Sequence, residues 1–185
     1  MKFLYLYIIL TSLIIFSCTL EKKDFDNPVD FEANEEIGVG APAIVFYPLT
    51  QTIALQDSFE IGSYIVFKED SIKAFSGVHF KIHFPNDLLD LDTILPGLLM
   101  TDTNQSIPLF NYLYDEESGI DIYAYFLDTV KKDLEATGHI ATIKFKPTSM
   151  GSDSIYYIVN ECEVINFDDK VIQLNGQRNA KIIIE

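Results

Sequence analysis

The chain has 185 residues, with 28 acidic against 13 basic, and carries a net charge of −15 at pH 7. A surface of that sign repels nucleic acid and anionic lipid head groups, so neither is an expected partner. Its two cysteines, Cys18 and Cys162, leave no room for a disulfide-stapled scaffold.

Met1 and Lys2 give a short positive start, and residues 3–16 are apolar except for Thr11 and Ser12. That is the pattern of a secretory leader, shorter than the roughly 20 residues of a spanning helix. The leader ends in Ile15-Phe16-Ser17-Cys18, which resembles the bacterial lipobox. The resemblance implies diacylglyceryl transfer to the Cys18 thiol, cleavage before it and acylation of the new N-terminus. Each buried CH₂ then contributes about 0.8 kcal/mol to membrane anchoring. The expected location is the cell envelope, at the outer membrane or cell surface. With Cys18 lipidated, Cys162 has no intramolecular partner, and Glu161 and Glu163 beside it disfavour a thiolate nucleophile.

After Cys18, residues 19–40 are rich in acids (Glu21, Asp24, Asp26, Asp30, Glu32, Glu35 and Glu36) and lack an apolar period. This reads as a flexible tether, with residues 18–42 as linker and 43–185 as one folded domain. Gly38-Val39-Gly40 within it precedes no predicted helix that could bind phosphate.

Beyond residue 43, short runs of β-branched and aromatic residues alternate with Gly, Pro, Asn, Asp and Ser. Strands are expected near 43–47, 58–67, 75–84, 88–95, 109–114, 120–127, 139–146, 154–164 and 181–184, with a helical turn only at 129–135. Val78, Phe80, Ile82 and Phe84 point to one face and Gly77, His79, Lys81 and His83 to the other, so the second set is expected to meet solvent. Likewise Ile120, Ile122, Ala124 and Phe126 oppose Asp121, Tyr123, Tyr125 and Leu127. The turn at 115–119 makes 109–127 a hairpin. The fold class is all-β, a roughly nine-stranded antiparallel β-sandwich of jelly-roll or immunoglobulin-like kind.

The order of these segments is similar to that of the cohesin modules of cellulosome scaffolds. The resemblance runs through Phe59-Glu60-Ile61 to Val66-Phe67, then Phe75-Ser76-Gly77-Val78-His79-Phe80-Lys81-Ile82-His83-Phe84. It continues in Pro85-Asn86-Asp87, Pro96-Gly97, Gly138-His139-Ile140-Ala141-Thr142-Ile143-Lys144-Phe145-Lys146 and Asn175-Gly176. It implies a cohesin-like, non-catalytic receptor for a dockerin-bearing protein, bound on the sheet that contains 75–84 and the 109–127 hairpin. Carried over by position, the binding-face residues are His79, Lys81, His83, Tyr123 and Tyr125.

Other chemistry is weaker. Asp90 and Asp92 sit about 7 Å apart on one strand face, within glycosidase range, yet two acids on a polar face are ordinary here. His79 and His83 are about 13 Å apart on a strand, too far to share a metal, and His139 has no acid or Cys at ligand spacing. The acidic loops at 115–117 and 168–169 lack the twelve-residue calcium spacing and read as solvated turns. No metal or cofactor is expected, and no Gly-x-Ser-x-Gly elbow occurs. Tyr123 and Tyr125, with Tyr112 and Tyr114 across the hairpin, leave polysaccharide binding as an alternative to protein binding. A structural subunit of an envelope complex is a third reading.

Cys18→Ser is expected to abolish incorporation of radiolabelled fatty acid and move the protein from the membrane fraction to the soluble fraction. Unchanged fractionation with label retained would refute lipidation at this residue.

Overall fold

The computed structural model describes residues 27–68, 76–101, 107–117, 119–127 and 137–185. The leader, Cys18 and the helical turn expected at 129–135 lie outside the described residues. A short helix α1 (Phe31–Glu36) precedes twelve strands. These are β1 (Ala43–Tyr47), β2 (Thr50–Ile53), β3 (Phe59–Val66), β4 (Gly77–His83), β5 (Leu89–Pro96) and β6 (Pro108–Asp115). They continue with β7 (Gly119–Phe126), β8 (Gly138–Pro147), β9 (Gly151–Tyr157), β10 (Glu163–Ile165), β11 (Gly176–Arg178) and β12 (Ala180–Ile184).

The strands form the expected two-sheet jelly-roll sandwich. The smaller sheet has the order β11-β1-β3-β8-β5, and the larger runs β2-β12-β9-β4-β7-β6 with β10 also paired to β4. The described residues hold twelve strands rather than nine, and both sheets are mixed rather than wholly antiparallel. The extra strands arise where the chain changes sheet. Pro48 and Leu49 carry it from β1 in the smaller sheet to β2 in the larger, and Asn179 carries it from β11 to β12. The two crossing segments run alongside each other, so Ala43 pairs in parallel with Gly176 and Thr50 with Lys181. Such pairing joins residues over 130 positions apart, and local periodicity carries no trace of it.

The strand expected at 154–164 is also divided. A 3₁₀ turn at Val159–Glu161 separates β9 from β10, although both pair with β4, through Ile82↔Tyr157 and Glu163↔His79.

Alternation sets the core. Val78, Phe80, Ile82 and Phe84 from β4 and its exit meet Ile120, Ile122, Ala124 and Phe126 from β7, all buried as predicted. Across the interlayer lie Ile44, Phe46, Ile61, Ile65, Ile143 and Phe145. Each such side chain stabilises the fold by about 1.5–3 kcal/mol through burial. Tyr157 stacks on Phe46 with ring centroids 4.0 Å apart. Its hydroxyl, on the larger sheet, donates to the Val45 carbonyl at 3.2 Å and accepts from Ser63 Oγ at 2.8 Å, both on the smaller. Burial pushes this phenol well above its ordinary pKa, so it stays a neutral donor.

Part of the segment read as tether is folded. Asp30 caps α1 by accepting from the Ala33 N–H, and Asn34 is buried with its amide donating to the Pro28 and Asp30 carbonyls. Phe31 and Val39 then pack on Ala43, Val45 and Val66, the outer face of the smaller sheet, with Tyr64 beside them. Of the acids that suggested a linker, Glu32, Glu35 and Glu36 are exposed, while Phe31 and Val39 make the contact.

Tyr157→Phe is expected to cost about 1–3 kcal/mol in guanidinium unfolding, because the buried Ser63 hydroxyl loses its partner. A cost near zero would show that the two sheets do not depend on this bond.

Candidate functional site

The outer face of the larger sheet is assembled by register. Residues directly opposite in an antiparallel pair share a face. Pairing of β4 with β7 therefore sets Lys81 beside Asp121, His79 beside Tyr123 and Gly77 beside Tyr125. Pairing of β6 with β7 adds Leu113 beside Asp121, Asn111 beside Tyr123 and Leu109 beside Tyr125. From β9, Tyr156 pairs with His83.

At the centre, Asp121 engages two side chains. Its Oδ2 accepts from Lys81 Nζ at 2.7 Å, and its Oδ1 is 2.7 Å from His79 Nε2. Burial pushes the Asp121 carboxyl up, but the hydrogen bonds and charges of Lys81 and His79 outweigh it and hold the pKa below the ordinary value. His79 lies flat on Tyr123, with centroids 4.5 Å apart and planes 2° from parallel. Tyr125 lies over Gly77, where an added Cβ would come within 2.1 Å of the ring, so only glycine leaves space for it.

Around this polar centre exposed apolar side chains share the face with exposed Asn111 and Glu163, which lie opposite Tyr123 and His79. Leu113 is 58% exposed and Leu127 55%, with Leu109, Ile107 and Tyr156 also exposed. The outer face of the smaller sheet differs, because α1 and Val39 pack on its β1–β3 part.

Several expectations are corrected here. Lys81 does not meet solvent, because its side chain is only 9% exposed. The chain between β9 and β10 crosses directly beside it, with the Ile158 N–H donating to the Lys81 carbonyl. His79 is half-buried against Asp121 and Tyr123, and His83 is half-buried with its ring 4.8 Å from that of Tyr156. Tyr112 and Tyr114 do not join Tyr123 and Tyr125: they pair with Ile122 and Ile120 on the opposite face, where Tyr114 approaches Phe84.

The residues that sequence reasoning missed are Asp121, Leu109, Leu113 and Tyr156. Asp121 was legible as outward-facing, but nothing local shows that it neutralises a lysine 40 residues away.

The remaining candidates are accounted for by structure. The Asp92 carboxylate is 2.7 Å from Lys146 Nζ, beside a bulge that breaks the regular spacing of Asp90 and Asp92. Cys162 Sγ accepts from the Lys81 N–H at 3.3 Å. Its thiol is pushed up to about 11, by burial first and then by Glu161 and Asp121. His139 is held by the Ala141 carbonyl and Thr142 and stacks on Tyr64, and burial lowers its pKa. Asp115 accepts from the Glu117 N–H, and Asn166 accepts from the Asp168 and Lys170 N–H groups, as in ordinary turns. Among the described residues no cluster of three His, Cys, Asp or Glu side chains could hold a metal.

No family model and no curated protein matches this sequence. Solved structures do match in fold. A type I cohesin in complex with a dockerin from Clostridium thermocellum is 15% identical with a TM-score of 0.59, covering 77% of this chain and 92% of that one. The seventh ScaB type I cohesin of Pseudobacteroides cellulosolvens is 15% identical, with a TM-score of 0.60 and coverage of 77% and 91%. The cohesin module of a Clostridium perfringens family 33 glycoside hydrolase is 14% identical, with a TM-score of 0.55 and coverage of 72% and 91%. This chain has the cohesin fold.

Asp121→Asn is expected to destabilise the domain at pH 7 by about 2–4 kcal/mol, since it leaves the Lys81 ammonium buried without an anion. The carboxylate's folded pKa is depressed, so its contribution is present above the unfolded value of about 4 and is lost as pH falls through the folded one. The gap between variant and parent should therefore close below about pH 4. A gap that persists unchanged at pH 2 would refute the electrostatic origin.

Proposed function

We propose that this module is a non-catalytic receptor that holds a dockerin-bearing protein on the outer face of its larger sheet, and that lipid on Cys18 fixes it to the cell envelope. The observation that carries the reading is the contrast between a rigid polar centre and its surroundings. Lys81, Asp121 and His79 form a pre-organised triad, flanked by exposed Leu109, Leu113, Leu127 and Tyr156. Exposed apolar patches of this kind mark interaction surfaces, and a pre-organised polar group at the centre fixes orientation at little entropic cost. Dockerin complexes of proteins with the same fold support the choice of partner.

The tyrosines do not favour a polysaccharide. Sugar rings stack on open flat aromatic faces, but one face of Tyr123 is covered by His79. Tyr112 and Tyr114 lie on the other side of the sheet. A catalytic role has no better support, because Asp92 is paired with Lys146 and the Cys162 thiol is held protonated.

The test is capture from cell and secreted fractions of the host on the immobilised lipoprotein, in Ca²⁺ and again in EDTA, since dockerins fold around calcium loops. A dockerin-bearing protein should be retained in Ca²⁺ and released by EDTA. Tyr123→Ala should weaken its binding at least tenfold, about 1.4 kcal/mol, while Tyr112→Ala leaves it unchanged. Equal binding by both variants would move the site off this face, and retention of polysaccharide alone would overturn the dockerin reading.

A further inference from the structure

The hydrogen-bonding phase of β6 shows which backbone groups face away from the sheet. The Leu127 N–H donates to the Ile107 carbonyl and the Phe126 N–H to the Ser76 carbonyl, so odd residues of β7 bond to β6 and even ones to β4. On β6, Leu109, Asn111 and Leu113 therefore bond to β7. The N–H and C=O groups of Phe110, Tyr112 and Tyr114, with the Pro108 carbonyl, point outward. β6 ends the larger sheet, and no strand among the described residues pairs with that side.

An open edge of this kind is a template for another strand, and proteins normally guard against it with charge, bulges, proline or short length. The other three edges are guarded. On β5 there are Asp90, Asp92, a bulge and the terminal Pro96, while β2 has four residues and β11 three. β6 is eight residues long, regular in register, and carries no charge before Asp115 and no proline after Pro108. Its side chains from Asn111 onward are exposed on both faces.

We propose that two copies of this chain pair antiparallel through their β6 edges, with the two-fold axis at Asn111. The sequence Pro108-Leu109-Phe110-Asn111-Tyr112-Leu113-Tyr114 is self-complementary about that point. Phe110 meets Tyr112 of the second copy as a hydrogen-bonded pair, and Pro108 meets Tyr114. Leu109 meets Leu113 and Asn111 meets Asn111 as non-hydrogen-bonded pairs. Every pairing matches the outward phase of the backbone, giving about six inter-chain hydrogen bonds because alternate residues both donate and accept.

Sliding by one residue on each copy puts Tyr112 opposite itself and sets Leu109 against Asp115, which the apolar pairing disfavours. Electrostatics favours the same orientation. Antiparallel pairing sends the two acidic turns around Asp115, Glu116 and Glu117 to opposite ends, about 26 Å apart, whereas parallel pairing would bring them together. The two larger sheets then join into one, with the two outer faces side by side and open.

Register-specific disulfide trapping tests this in the full-length lipoprotein in detergent. Asn111→Cys should form a dimer linked by a disulfide under mild oxidation, because non-hydrogen-bonded partners lie about 4.5 Å apart at Cα. Leu109→Cys alone should not, while Leu109→Cys combined with Leu113→Cys should. Tyr112→Pro removes only an outward N–H, and should fold with unchanged circular dichroism yet sediment at half the parent's mass. A monomeric parent, or trapping as efficient through Leu109→Cys as through Asn111→Cys, would overturn the proposal.

Discussion

The Tyr157 hydroxyl, with its buried partner Ser63, crosses a largely apolar interlayer and ties the two sheets at one depth. Its partners come from β3 and β1, and its ring fills the space over Phe46 and edges against Phe80. Hydrophobic burial drives the sheets together without specifying how they slide, whereas a buried hydroxyl with two partners is satisfied in one arrangement. Tyr157 itself pairs with Ile82 where β9 meets β4, and β4 pairs with β7, so the tie adjoins the strands that carry the candidate face.

From this follows an asymmetry between the outer faces. On the smaller sheet, β1 and β3 present Ala43, Val45 and Val66, and the chain before the first strand returns to cover them with Phe31 and Val39. On the larger sheet Asp121 neutralises Lys81 and engages His79 within the face itself. The leucines around it have no cover among the described residues.

The strand faces were legible because a period of two is a local property. The core sets Val78-Phe80-Ile82-Phe84 and Ile120-Ile122-Ala124-Phe126 could be named from the chain alone, as could the hairpin that brings β6 to β7. What failed was the step from outward-facing to exposed. Lys81 points away from the core and is nonetheless buried, because a turn 80 residues later crosses beside it. Tyr112 and Tyr114 were placed with Tyr123 and Tyr125, and the error was one of register: a shift of one residue across the hairpin exchanges the two faces.

The amino-acid sequence by itself determined the fold class, the apolar face of each long strand and the leader pattern ending at Cys18, because each of these is written in neighbouring residues. The tertiary structure alone decided that the chain hops sheets at Pro48 and Asn179 so that β1 runs parallel to β11 and β2 to β12. It also decided that α1 belongs to the domain, and that Asp121, Lys81 and His79 form one unit. The physical reason is the same in each case. These features rest on contacts between residues far apart in sequence, and only the pairing and packing of distant strands brings them within reach.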